Sequence, residues 1–291
     1  MKKFLVPLDG SELSALALPW ATLLAQKFGT QLELLRCYEP LSTLYLMPEF
    51  AAPAPVYYDQ TVFDQQIDEY LDGVAESLPE GLATKRRSEG DPGTVIVDRT
   101  EHGDIEAVVM ASHGRGGLGR WLLGSVATKV VRACRVPVLI VNAGTEVPKE
   151  PELKKILVPL DGSETSEGAI AHALTLAKLF DAEIVLYQGV AHTPIGHPHL
   201  DAAVNLEVQN AREYLDKVKE RYPEAKLSTE VKVAGPALGI VEAADACDMI
   251  VMNSHGHSGV KRWLLGSVAE NVLQTARRPL MIVYQREDSD S

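Results

Sequence analysis

The sequence predicts an α/β protein built from two tandem Rossmann-like domains, each a five-stranded parallel sheet with helices on both faces. Three observations carry this. First, the chain repeats itself: VPLDGSE stands at residues 6–12 and again at 158–164, and RWLLGSVA at 120–127 and 262–269. Pairing residues 112–141 with 254–283 gives 17 identities in 30 positions, which marks a tandem duplication. Second, each copy alternates short apolar runs with segments of helical spacing, the pattern of parallel strands joined by crossover helices. Third, 291 residues suffice for two domains of ordinary size, each with a sizeable core.

In the first copy, residues 3–8 (KFLVPL) are apolar, end at Asp9-Gly10 and read as a buried strand. Ser11 caps the next helix, whose alanines and leucines continue to Phe28 before Gly29 stops it. Pro19 lies inside that helix and predicts a kink, whereas residues 163–180 of the second copy contain no proline. Residues 31–37 (QLELLRC) form the second strand. The offset between the copies falls from 152 at VPLDGSE to 142 at RWLLGSVA. The first copy therefore holds about ten extra residues, placed within 39–60, a stretch rich in proline, tyrosine and alanine.

Residues 62–78 have helical spacing, with Phe63, Ile67, Tyr70, Leu71 and Val74 on one face. Residues 83–88 make a weaker, charged strand, followed by Gly90-Asp91-Pro92-Gly93 and a helix through Thr100. Residues 106–110 form the fourth strand. A glycine-rich loop, a helix from 124 to 134 and a fifth strand at 137–141 (PVLIV) complete the copy. The second copy repeats these elements over 155–160, 164–180, 183–190, 200–222, 226–233, 237–244, 249–252, 264–275 and 279–284. The domains are expected at 1–143 and 154–285, with a polar, proline-bearing linker at 144–153 and an acidic tail at 286–291. PVLIV and PLMIV are apolar and belong at a sheet edge, so the two copies are expected to pair through their last strands as a pseudo-dimer.

Bulk properties remove several function classes. With 46% hydrophobic and 23% charged residues the composition is that of a soluble globular protein. A formal charge of -12 opposes nonspecific binding to nucleic acid or an anionic membrane. The opening MKKFLVPLDG is broken by Pro7 and Asp9, too early for a secretory signal, and no apolar run spans a bilayer. Cys37, Cys134 and Cys247 are odd in number and without metal-like spacing, as expected of reduced thiols in a cytoplasm.

Several motifs tempt and fail. Gly114, Gly116 and Gly119 satisfy G-x-G-x-x-G, yet that fingerprint belongs after the first strand with an acid about 20 positions on, and here it follows the fourth. The second copy breaks it with Ser258. No G-x-x-x-x-G-K-[ST] or G-x-S-x-G is present. His192, His197 and His199 form a proline-broken cluster without counterpart in the first copy and read as a solvated loop rather than a metal site. His113 and His255 recur in both loops and read as loop-stabilising. Arg120-Trp121 and Arg262-Trp263 read as core or interface rather than base-stacking groups, given the acidic chain.

VPLDGSE ending strand one and a glycine loop leading into G-S-V after strand four resemble the universal stress protein family, over nearly the whole chain and twice. Its ATP-binding members carry G-2x-G-9x-G-[S/T], which falls on Ala111, Gly114, Gly124 and Ser125, and on Asn253, Gly256, Gly266 and Ser267. The first glycine is thus replaced in both copies. Alanine leaves the turn usable, whereas the asparagine side chain would crowd a nucleotide. The resemblance further implies Asp9 and Asp161 at the end of strand one, preceded by Pro7 and Pro159, and a backbone contact to adenine at Cys37 and Gly189.

The implied ligand is ATP, alone or with Mg or Mn. Amides of Gly124, Ser125 and Val126, and of Gly266, Ser267 and Val268, would hold phosphate at a helix start. Asp9 would meet ribose hydroxyls or the metal ion. The implied function is a cytoplasmic, ATP-binding stress-response regulator or interaction module that forms a homodimer, with no dedicated catalysis beyond a slow ATPase. Two alternatives are a nucleotide-free partner-binding dimer and an adenine-nucleotide enzyme. The enzyme needs H-x-G-H near strand one or S-G-G-x-D-S, where this chain has VPLDGSE.

Overall fold

A computed structural model describes residues 2–38, 60–112, 123–142, 144, 147–191, 198–254 and 265–284. The first copy folds as β1 (Lys3–Pro7), α1 (Glu12–Ala15), α2 (Leu18–Phe28), β2 (Gln31–Tyr38), α3 (Gln60–Glu76), β3 (Ala83–Glu89), α4 (Pro92–Thr100), β4 (Ile105–Ala111), α5 (Ser125–Ala133) and β5 (Val138–Val141). The second follows as β6 (Lys155–Pro159), α6 (Glu164–Phe180), β7 (Glu183–Val190), α7 (Pro198–Glu220), β8 (Leu227–Val233), α8 (Pro236–Ala244), β9 (Met249–Asn253), α9 (Ser267–Thr275) and β10 (Leu280–Val283). The inserted stretch 39–59 and the acidic tail lie outside the described residues.

The expected kink at Pro19 is a full break. Pro19 sits in the first turn of α2 and has no N–H to offer the carbonyl of Ala15, where α1 ends. The second copy, without that proline, runs α6 unbroken over the same stretch. Both helices finish in a left-handed residue, Gly29 at φ 63° and Asp181 at φ 57°.

All strands join one sheet in the order β3-β2-β1-β4-β5-β10-β9-β6-β7-β8. Pairing is parallel within each copy and antiparallel between β5 and β10, where Leu280, Met281 and Ile282 face Ile140, Leu139 and Val138. The pseudo-symmetric pairing through last strands is therefore built into the chain. Side chains alternate across the sheet. Phe4, Val6, Val109 and Val251 enter one core under α2, α3, α6 and α7, while Leu5, Val108 and Ile250 enter another under α4, α5, α8 and α9. Each core runs unbroken across the junction of the copies. Asn142 and Tyr284 occupy matching positions and reach across that junction. The Asn142 amide donates to the Ala276 carbonyl at 2.7 Å, and the Tyr284 hydroxyl donates to the Val131 carbonyl.

One buried feature belongs to the first copy alone. Glu33 on β2, 2% exposed, receives Arg99 Nε at 2.6 Å and Nη2 at 2.9 Å, with Arg86 at 2.7 Å and Lys3 at 3.2 Å. Arg99 is itself held by Asp104 at 2.5 and 2.7 Å. The second copy places the buried apolar residues Val185 and Ala243 at these two positions. Burial alone would raise the Glu33 carboxyl, but the hydrogen bonds from Arg99, Lys3 and Arg86 outweigh it and hold the group at about 2, down from 4.5.

A depressed carboxyl stabilises the fold above its unfolded value and stops doing so as pH falls through its folded value. Glu33→Gln should therefore cost about 3 kcal/mol near neutral pH, and the gap between the two proteins should close as pH drops from about 4.5 toward 2. Urea melts across that range check this; a gap independent of pH would contradict it.

Candidate functional site

In the order β3-β2-β1-β4-β5, β1 and β4 are neighbours whose chains leave in opposite directions. The chain after β1 passes to α1 and α2 on one face, and the chain after β4 passes to α5 on the other. The loops part at the carboxyl ends of these strands and leave a crevice, the position where ligands bind in doubly wound sheets. The second copy has the same crevice between β6 and β9. Because β5 and β10 run antiparallel, the two crevices open at opposite ends of the ten-stranded sheet.

Asp9 and Asp161 stand at these crevices in identical networks. Asp9 Oδ1 accepts from Ser11 N at 2.9 Å and Ser11 Oγ at 2.5 Å, while Ser14 N donates to Ser11 Oγ at 3.1 Å as the cap of α1. In the second copy Asp161 Oδ1 receives Ser163 N at 3.0 Å and Oγ at 2.5 Å, and Ser163 caps α6 through Ser166 N at 3.1 Å. Between aspartate and serine, Gly10 at φ 81° and Gly162 at φ 86° take the left-handed turn that brings the carboxylate back over the strand end. Pro7 and Pro159 close β1 and β6. The D-G-S run is thus one device that turns the chain, starts the helix and fixes the carboxylate.

Across the crevice, α5 begins at Ser125 with Gly124 as its cap, and α9 at Ser267 with Gly266. Of the three amides expected to cradle phosphate, the first is already used in both copies. Gly124 N donates to the Ser112 carbonyl and Gly266 N to the Ser254 carbonyl, each at 2.9 Å. The glycines tie the returning loop to the end of β4 or β9. The helix start proper, Ser125 and Val126 or Ser267 and Val268, keeps the orphan first-turn N–H groups common to every helix. Both serines are exposed.

Ala111 ends β4 in the core, 6% exposed. Asn253 ends β9, 4% exposed, and its side chain packs on α6: a Cβ at Gly168 would stand 3.2 Å from Asn253 Nδ2. The residue matching Gly168 in the first copy is Leu16. A larger side chain on the strand is thus matched by a smaller one on the helix. The asparagine amide lies against the first half of α6.

At the far side of each crevice lie Cys37 and Gly189. Leu8 N donates to the Leu35 carbonyl at 2.8 Å, the last bond between β1 and β2, so the next outward pair on that side, the N–H and C=O of Cys37, faces the space beyond β1. Leu160 N to the Tyr187 carbonyl at 2.8 Å places Gly189 in the same way. Burial pushes the Cys37 thiol up to about 11, with Arg36 opposing and Asp91 adding to the rise. The backbone, not the thiol, is the usable group there. Burial also holds Cys134 and Cys247 at about 11.

Sequence reasoning missed Arg36, whose Nη1 donates to the Leu8 carbonyl at 3.3 Å beside Asp9. Its only signal was the contrast with Gln188 in the second copy. Gly114, Gly256, His113, His255, His192, His197 and both Arg-Trp pairs lie outside the described residues. Among the described residues no three His, Cys, Asp or Glu side chains gather as a metal site, and no helix is long and apolar enough to cross a membrane.

The family model described as the universal stress protein family matches residues 1–142 and again 152–284. The chain belongs to the universal stress protein family. One relative from Mycobacterium tuberculosis is 35% identical over 185 residues, covering 62% of this chain and 63% of its own, so the match spans less than two thirds of that protein. Another from the same species is 29% identical over 291 residues, 97% of this chain and 96% of its own. The crystal structure of a universal stress protein from Archaeoglobus fulgidus superposes with a TM-score of 0.67 at 20% identity, over 99% of this chain and 97% of that one, and shares the tandem fold.

Ser11→Ala removes the helix cap and the hydroxyl bond to Asp9, leaving the bond from the backbone N–H, and should cost about 1 kcal/mol of stability. Chemical denaturation checks this, with Ser163→Ala expected to behave alike in the second copy.

Proposed function

We propose that this universal stress protein binds ATP in the crevice between β1 and β4, and that nucleotide occupancy governs its part as a stress-response regulator or interaction module. The observation that supports this most directly is the duplicated pairing of a fixed carboxylate with a helix start across one switch-point crevice. Ser125 and Val126 offer amides and a hydroxyl to phosphate, where the helix dipole favours an anion. Asp9 faces them and takes ribose hydroxyls, or a Mg or Mn ion carried on the phosphates, since a bare carboxylate repels phosphate. The backbone of Cys37 meets the base, and Gly114 completes the loop over the phosphates, with Pro7 and Ala111 shaping the ends of β1 and β4.

The second crevice offers Asp161, Gly189, Ser267, Val268 and, in its loop, Gly256, with Pro159 and Asn253 at the strand ends. The second crevice is proposed for the same ligand class, with Asn253 in place of Ala111 as its chief difference. We expect no dedicated catalysis beyond a slow hydrolysis that rests on positioning. Two chains are further proposed to associate as a homodimer, which gel filtration tests.

Gly124→Glu puts a carboxylate at the helix start where phosphate should sit. Calorimetry of the full chain should show ATP binding at the first unit weakened by roughly tenfold or more, with the unfolding transition unchanged. Undiminished binding at both units would refute the assignment of phosphate to α5.

A further inference from the structure

Beside the first crevice stands an exposed charged pair that the second copy lacks. Lys129, one turn into α5, donates Nζ to Asp91 Oδ1 and to Thr94 Oγ1, both at 2.5 Å. Asp91 caps α4, its Oδ1 accepting from Thr94 N at 2.9 Å and Thr94 Oγ1 at 2.6 Å. These contacts hold the Asp91 carboxyl at about 2, Lys129 contributing most. The lysine stem lies across Gly93, where a Cβ would meet Lys129 Cδ at 2.5 Å and Cβ and Cγ at 3.2 Å. Only a bare backbone lets the stem lie there.

The second copy changes all four positions together. Gly235 replaces Asp91, Ala237 replaces Gly93, Leu238 replaces Thr94 and Asn271 replaces Lys129. Asn271 folds back instead, donating Nδ2 to the carbonyl of Ser267 at 3.1 Å. A shorter residue on α9 removes the need for glycine on α8.

Two placements tie the pair to the ligand. β3 pairs with β2 as far as Glu89 against Tyr38, and Gly90 N donates to the Tyr38 carbonyl at 2.9 Å, so Asp91 stands just beyond the end of β2, next to Cys37. Lys129 is one turn beyond Ser125 on α5 and its side chain reaches Asp91, so the ammonium stands between the start of α5 and the end of β2. The ammonium has three N–H groups, of which Asp91 and Thr94 engage two.

We propose that Lys129, positioned by Asp91, Thr94 and Gly93, contacts the phosphates of a nucleotide in the first unit, so that this unit selects ligands by phosphate charge and the second unit does not. This rests on the nucleotide-binding reading above. An ammonium acts on phosphate as a point charge, so its contribution grows with the number of phosphates and falls with salt. Asn271 offers no such term.

The test uses the full chain carrying Gly266→Glu, which blocks the second crevice so that calorimetry reports the first. ATP, AMP and adenosine are titrated at low and high salt. Adding Lys129→Asn, the residue the second copy carries there, should weaken ATP by roughly tenfold, leave adenosine unchanged and flatten the salt dependence. Lys129→Arg should restore the preference for ATP. If Lys129→Asn leaves the ATP-to-adenosine ratio unchanged, the proposal falls while the nucleotide reading stands. If the Gly266→Glu chain binds neither ATP nor adenosine, the underlying reading falls and the proposal with it.

Discussion

The antiparallel pairing of β5 with β10 is the constraint on which the rest of this structure depends. Each strand is only four residues long and fully buried, with no charge to protect an exposed edge. A five-stranded unit ending in VLIV or LMIV would present bare backbone and apolar side chains to water, an invitation to aggregation. Joining the two edges removes both and merges two small sheets into one sheet with a continuous core on each face. The antiparallel sense also sends the two crevices to opposite ends, so one nucleotide cannot bridge them. Between them lie the shared sheet and contacts across the junction, among them those of Asn142 and Tyr284 and the Arg132–Glu270 ion pair at 3.3 Å.

Within that shared frame the two copies have diverged in where they place charge. The first buries the Glu33–Arg99 network and lays Lys129 against Asp91; the second fills the corresponding places with Val185, Ala243, Gly235 and Asn271. A buried ion pair competes with apolar packing of similar volume and often gains nothing over it. The first copy's charges therefore cannot be explained by stability alone. The Asp91–Lys129 pair is exposed at the mouth of a crevice, where a surface pair contributes little to folding.

Much of the fold was legible because it rests on periodicity. Strands such as KFLVP and EIVLYQGV read as buried runs, and the helix over residues 164–180 matched its element residue for residue. Pro19 announced a disturbance, though not its extent: a kink and a break differ only in whether the residues before it keep helical bonds. Asp9 and Asp161 were legible through the family resemblance of the VPLDGSE run, and the structure adds that the D-G-S turn fixes them through local hydrogen bonds. Arg36, Lys129 and the environment of Asn253 were not. Their meaning lies in contacts with residues on other elements, the Leu8 carbonyl, Asp91 and Gly168, and no local pattern signals those.

What the sequence determined by itself was the repeating α/β order, the duplication, the turn chemistry at each first strand and the apolar last strands that had to pair. These follow from period, capping and burial, which act over a few residues. Only the tertiary structure decided that Gly124 and Gly266 spend their amides on the ends of β4 and β9, that the Asn253 amide lies against α6, and that Lys129 lies over Gly93. The physical reason is the same in each case. A hydrogen-bonding group takes whichever partner the fold brings within 3 Å, and that partner comes from a distant part of the chain.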